Sequence, residues 1–403
     1  MKVNPNISSE QFFYPMENVI QNFVWGSTSS FNRLFDIANP LSEPQAEIWM
    51  GAHPNGCSRV IVGESKVLLS TLIDSDKRRF LSESTDKAFG ELPYLFKVLA
   101  AESALSVQVH PSKEEAEQGF DKEEKLKISL SASYRNYRDV NHKPELVYAL
   151  TPYQAMNGFR STSEIVQLFS SVGIMHLSSI VERLRCDPSS EGLKAFFVEV
   201  LSLEGDKKNC VIDELLSVAK EKSNQELFSL ILTLSEQYPG DIGLLTPLIL
   251  NVLTLQPGEA MYLDARTPHA YLKGTALEVM ANSDNVLRAG LTPKHIDVKE
   301  LARCTLFEEK SADELKLAPI EDNGNITYSV PVPDFKFSVY LKPSSELVRP
   351  ISAEILLPLD DELEISHSSG EVVTLNKGQS VFIPAYVDEY VLSSKGRVAK
   401  AHC

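Results

Sequence analysis

Four hundred and three residues, 43% of them apolar, exceed what one compact core accommodates, so two or three domains are expected and a single small module is excluded. Thirty-nine Lys and Arg against fifty-five Asp and Glu leave a formal charge of −16, the wrong sign for a sequence-independent nucleic-acid binder. The opening MKVNPNISSEQFF lacks the apolar core of a secretory signal, no apolar run approaches the roughly 18 residues of a membrane span, and the five cysteines include no C-x-x-C pair, so a soluble cytoplasmic chain without disulfides or a thiolate zinc site is expected.

Along the chain, the first clear element is a strand over 105–110, where Leu105, Val107 and Val109 alternate with Ser106, Gln108 and His110 until Pro111 stops it. The charged stretch KEEAEQGFDKEEK follows, opened by a capping box at Ser112 and Glu115, and reads as a solvated helix. Pro144 then ends a loop, and the run Leu146–Leu150 reads as a buried strand entered by Glu145. Helices are expected to open at Ser161 and Ser223, each with Glu three residues later, the second ending at Tyr238-Pro239-Gly240. Between them, Asp187-Pro188 predicts a helix over 187–203, with Leu193, Phe196, Phe197, Val200 and Leu201 on one face. Residues 161–245 are therefore assigned to an all-α insertion.

The return segment NVLTLQPGEAMYLDARTPHAYL, from Asn251, repeats 120 residues later as EVVTLNKGQSVFIPAYVDEYVL, with six identities in 22 positions, among them Gly258 and Gly378. Both copies read as strand, Gly turn, strand, loop, strand, which is either common hairpin grammar or a true duplication; two β-barrel or jelly-roll units are the economical reading. Where the first copy has His269, in a turn, the second has Glu389, so only the first is equipped for metal.

Gln108 and His110, two apart on one strand, project from one face. A carboxylate entering a buried strand, as Glu145 does, costs several kcal/mol unless it is paired or coordinates a metal. With His269 these form an N/O set suited to zinc, with room for water or substrate as an added ligand. Further on, Glu278, Asn282, Asp284, Arg288 and Lys294 crowd one stretch, where Arg288 offers a fork and Lys294 a point charge for an anionic group such as phosphate.

The segments QNFVWGS, AEIWMGAHPNGCSRV, LPYLFKVLAAESALSVQVHPS, NHKPELVYALTPYQAMNGFR and the run from PGEAMYL to LTPKHID closely resemble the type I phosphomannose isomerases, over about residues 20–160 and 246–300. The resemblance implies a mainly β fold of two cupin-like jelly-roll barrels with a helical insertion. The catalytic domain would be 1–160 with 246–312, the helical domain 161–245, and the second barrel, without metal ligands, 313–403. It implies one zinc ion held by Gln108, His110, Glu145 and His269, an active-site Arg288, phosphate contacts from Lys294 and Ser106, further substrate contacts from Asp284 and from Trp25 near the site, and proton handling beside the ligand Glu, where Lys143 and His142 stand.

The expected reaction moves a proton between carbons 2 and 1 of a hexose phosphate through an enediolate, interconverting mannose 6-phosphate and fructose 6-phosphate. Arg288, always charged, suits stabilising the enediolate rather than acting as base. A divalent ion would depress Lys143, His142 starts near the required range, and Glu278 is a third candidate, with Lys143 ranked first. The expected partner is this small sugar phosphate, with neither nucleic acid nor membrane, and a monomer suffices. Two alternatives stay open: a cupin-type Fe(II) oxygenase, and a sugar-phosphate-binding module without turnover.

Overall fold

The computed structural model describes residues 11–403, so most of the segment read for a secretory signal lies outside the described residues. The chain packs into two compact units: the described residues up to Ala100 with Leu277–Asn282 and Ala318–Cys403, and Ala101–Ala276 with Ser283–Leu317. Strands dominate and helices concentrate in one insertion. Among the described residues no helix is long and apolar enough to cross a membrane, and all five cysteines are free thiols.

In the first unit a nine-stranded antiparallel sheet centres on Val398–His402, Glu354–Pro358 and Ser380–Ile383, and a four-stranded sheet is built from Glu346–Val348, Tyr390–Ser394, Leu363–Ser366 and Val372–Leu375. The pattern at Leu363–Ser366, apolar and buried alternating with polar and more exposed, is that of a sheet with one face in the core. Leu356, Val381 and Val398 from the larger sheet and Leu363, Ile365 and Leu392 from the smaller enter one core. The jelly roll is thus a two-sheet sandwich with open edges, not a closed barrel.

The second unit carries Val107–Val109 between His269–Ala281 and Leu287–Gly290, and Tyr153–Phe159 between Leu250–Leu255 and the start of His269–Ala281. Its helices and several of its strands bury side chains in one large apolar cluster, in which the Phe159 and Phe307 rings stack at 5.4 Å and Phe197 packs edge-on to Phe159 at 5.3 Å.

Several expected elements shift. The helix Lys113–Lys125 has the full Ser112/Glu115 capping box. The helix expected over 187–203 spans Ser190–Leu201, because Ser189, not Asp187, accepts from the Gly192 N–H, while Asp187 ends the preceding helix Ser178–Cys186. Its expected apolar residues are all buried. Ser223 caps nothing: Gly205–Glu221, a helix absent from the sequence reading, runs up to it, and the next, Glu226–Gln237, starts after a turn closed by Gln225 N–H on Lys222 O at 2.9 Å. His269 is not in a turn but opens a strand.

The duplication is structural, and its strands are not hairpins. In the first copy Leu250–Leu255 pairs with Tyr153–Phe159, whereas Ala260–Leu263, beyond Gly258, pairs with Glu145–Ala149. In the second, Val372–Leu375 pairs with Leu363–Ser366 in the small sheet, and Ser380–Ile383, beyond Gly378, with Glu354–Pro358 in the large one. Gly258 and Gly378 both have positive φ, 92° and 80°, which a side chain disfavours. The register extends the match to the candidate ligand: Glu145 faces Leu263 and Glu354 faces Ile383, and Leu263 and Ile383 correspond in the repeat.

Glu354 is buried, and its carboxylate accepts from Tyr390 Oη at 2.7 Å and pairs with Lys400 Nζ at 3.3 Å. Burial opposes the Lys400 ammonium, but Glu354 and Tyr340 outweigh it and raise the pKa. Lys400→Met, which strands a buried carboxylate, is expected to cost about 3–5 kcal/mol in denaturant unfolding, and Lys400→Met with Glu354→Leu to recover most of that loss; equal losses in the two proteins would show that pairing does not set the cost.

Candidate metal and substrate site

The site begins with the pleat. Val107 and Val109 are fully buried, so Gln108, between them, faces the other way, and His110 follows just past the strand end. Cα partners in adjacent strands present side chains to one face. His269 is the partner of Gln108 on one side and Arg288 on the other, and His269 is in turn partnered by Asn157. Asn157, His269, Gln108 and Arg288 therefore form a row across four neighbouring strands, although they are dispersed in sequence.

Glu145 opens its strand at 2% exposure. Its Oε1 lies 3.4 Å from His110 Nε2 and 3.1 Å from Lys143 Nζ, and its Oε2 lies 3.4 Å from His269 Nε2 and accepts from Tyr271 Oη at 2.6 Å. Burial favours the neutral acid, yet the Lys143 ammonium and the two imidazoles hold this carboxyl well below the usual range. Both imidazoles turn Nδ1 to a backbone carbonyl, His110 to Asn285 O at 2.6 Å and His269 to Thr267 O at 2.9 Å, so the Nδ1–H tautomer is fixed and Nε2 keeps its lone pair. Burial first, and Lys143 second, push His110 down to about 4 despite the opposing Glu145, leaving a neutral ring at neutral pH.

One donor atom each of His110, Glu145 and His269 lies within 4.8 Å of the others, all three residues are buried, and His110 Nε2 has no hydrogen-bond partner. Two imidazole nitrogens, a carboxylate and an orphaned lone pair among them are what a borderline divalent cation requires. Gln108 is half-buried in the adjoining row position, where its side-chain oxygen can add a fourth ligand.

Beside this centre three cations, Arg138, Arg288 and Lys294, lie near one another. Arg288 is shifted down by burial and then by Arg138, and Lys294 by burial and then by Arg288 and Arg138. No carboxylate offsets either shift. Arg138 escaped the sequence reading, although its spacing from Arg135 in YRNYRD marks two cations on one loop; Arg135 turns inward to Glu123 and Glu124, and Arg138 is exposed. Ser106 is half-buried just before the strand that carries Gln108. Lys143 joins the ligand set through Glu145, with His142 beside it in the chain, and the Asp284 N–H donates to Asp139 Oδ2 at 2.7 Å.

Two expected site residues belong to the first unit. Glu278 is buried and accepts from Lys97 Nζ at 2.8 Å, and Lys97 also lies 3.8 Å from Glu47, which accepts from Trp49 Nε1. Lys97 was not singled out in sequence, though a lone charge in YLFKVLAA, every residue of which is buried, is a signal of pairing. Trp25 is half-buried and stacks on Phe23 with ring centroids 5.8 Å apart.

Residues 13–162 match the catalytic domain of type I phosphomannose isomerases, and residues 168–250 match the helical insertion domain of that family. The mannose-6-phosphate isomerase of Escherichia coli K12 is 44% identical over 387 residues, spanning 96% of this chain and 98% of its own. That of Homo sapiens is 36% identical over 407 residues, spanning 92% and 93%. A crystal structure of a Salmonella typhimurium phosphomannose isomerase variant superposes with a TM-score of 0.94 at 43% identity, covering 97% of this chain and 99% of that one. A zinc-bound mannose 6-phosphate isomerase superposes at 0.92, with 43% identity and the same coverage. The chain belongs to the type I phosphomannose isomerase family.

Proposed function

We propose that the protein interconverts D-mannose 6-phosphate and D-fructose 6-phosphate, with one zinc ion held by Gln108, His110, Glu145 and His269. The observation that carries this reading is the buried convergence of His110, Glu145 and His269, with a lone pair left free on His110 Nε2. Zinc at such a site supplies a Lewis acid for the sugar's carbonyl and hydroxyl oxygens.

The rest falls to the chain's own groups. Arg288 and Lys294, with Arg138 beside them, receive the phosphate dianion, and their mutual repulsion is relieved when it arrives. Ser106 and Asp284 complete the substrate contacts. Arg288 also offers a fixed positive charge to the oxygen that gains charge as the enediolate forms. Lys143, whose Nζ lies 3.1 Å from Glu145 Oε1, carries the proton between carbons 2 and 1. His142 and Glu278 are secondary candidates for proton handling, and Trp25 for a sugar contact.

We assign the catalytic part to 1–160 with 246–312, the helical part to 161–245 and the second barrel to 313–403, a division supported by the boundaries of the two family matches. One chain supplies every ligand and cation named, so a monomer is sufficient, and the acidic charge and unpaired cysteines suit a cytoplasmic enzyme acting on a small phosphate ester rather than on nucleic acid or membrane. No observation favours the oxygenase or the module without turnover.

Chelation to full metal loss is expected to abolish isomerisation and added zinc to restore it, read by elemental analysis alongside a coupled assay; undiminished turnover of the metal-free protein would falsify the reading. Arg288→Ala should retain zinc and lose turnover by roughly 10²–10³-fold, about 2.7–4 kcal/mol, whereas His269→Ala should lose zinc itself. Lys294→Ala should raise KM for mannose 6-phosphate on the order of tenfold with a smaller change in kcat, the cost of one charged contact to phosphate; a KM equal to the parent's would remove Lys294 from the receptor.

A further inference from the structure

The segment 135–144, which delivers Arg138, His142 and Lys143 to the site, has no regular secondary structure. Glu123 accepts from the Asn136 and Tyr137 N–H groups at its start, and Asn285 holds the backbone of 138–141 beyond them. Asn285 is fully buried. Its Oδ1 accepts from the backbone N–H of Arg138 at 2.7 Å and of Asp139 at 3.2 Å, and its Nδ2 donates to Asp139 O and Asn141 O, both at 2.9 Å, and lies 3.2 Å from Asp139 Oδ1. Ser283 supports it, accepting from Asn285 N–H at 3.1 Å and donating to Asp139 Oδ1 at 2.8 Å. The Asn285 carbonyl is the partner of His110 Nδ1 at 2.6 Å, and two residues on begins the strand that places Arg288 beside Gln108.

We infer that Asn285 is a positioning residue that fixes zinc affinity and the placement of the proton-handling loop together. Through its carbonyl it sets the tautomer of His110. Through its amide it holds the loop leading into Lys143 and Glu145. Through the chain it anchors Arg288. An amide is the one neutral side chain of this size with two acceptor sites and two donor hydrogens, and here all are engaged. Aspartate would keep the acceptor, lose both donations and bury a charge against Asp139. Alanine would leave four backbone groups of the loop without their partner while sparing the carbonyl that faces His110.

This inference rests on the zinc reading above, and its test separates the two. Zinc affinity is measured by competition with a chromogenic chelator, at a temperature where circular dichroism shows the protein folded, and kcat and KM are measured at saturating zinc. Asn285→Ala leaves the carbonyl partner of His110 in place and releases the loop that runs into Lys143 and Glu145, so zinc binding is expected to weaken about tenfold through the looser placement of Glu145, the low end of the effect of losing a group that orients a ligand. It should also lower kcat at full zinc occupancy by about tenfold and, because the same loop carries Arg138, raise KM for mannose 6-phosphate by up to about tenfold, losses at full occupancy that general destabilisation of a still-folded protein does not produce. A zinc affinity within threefold of the parent's overturns the inference. Should Asn285→Ala not fold, Ser283→Ala decides on the same criterion with threefold weakening expected and parental affinity overturning it. A parent that binds no zinc defeats the zinc reading instead.

Discussion

A carboxylate sunk at the mouth of a buried strand governs the architecture of this protein. Glu145, desolvated to 2% exposure, is tolerable only if positive charge and hydrogen bonds come to it. Lys143, Tyr271, His110 and His269 all do. The supply is incomplete, because a free imidazole lone pair faces the same space, and a dissociable cation finishes it. The buried donor set, the placement of the loop that carries Lys143 and the charge of Glu145 thereby become parts of one electrostatic problem rather than separate designs.

The β-structure solves that problem by geometry. Side chains alternate along a strand and align across strands, so four residues far apart in sequence are brought into one row by antiparallel register alone. The row is rigid because its reverse face is apolar, with Val107, Val109, Ala270 and Leu287 sharing a cluster with the helical insertion. The helices thus stiffen the sheet from behind and contribute nothing to the ligand set.

Local signals in the sequence correctly marked what local physics determines. Alternation over 105–110 separated core from site, the Ser112 capping box set a helix start, and the desolvation cost of Glu145 singled it out before any partner was visible. Boundaries failed where two local signals competed, as with Asp187 and Ser189, and the helix Gly205–Glu221, whose start has no side-chain cap, went unmarked. The residues missed altogether, Lys97, Arg138, Asn157 and Asn285, share a property: each draws its significance from partners brought to it by pairing or folding over long sequence distances. No window of sequence contains the Asn285 carbonyl and His110 together, nor the Lys97 and Glu278 side chains. The repeat was visible in sequence, but only the register showed that its strands change pairing partners at the glycine and that Glu354 stands where Glu145 does.

That last correspondence has a bearing on how the molecule meets scarcity. In the second copy the buried carboxylate is paired with Lys400, a cation covalently tethered to the backbone. It cannot be stripped by a chelator or outcompeted by another ion. Glu145 has such a tethered cation too, Lys143 at 3.1 Å, but only in the first copy do two imidazoles stand beside the carboxylate, so that one copy of the duplicated fold keeps donors for a removable ion and the other is closed by its own side chains.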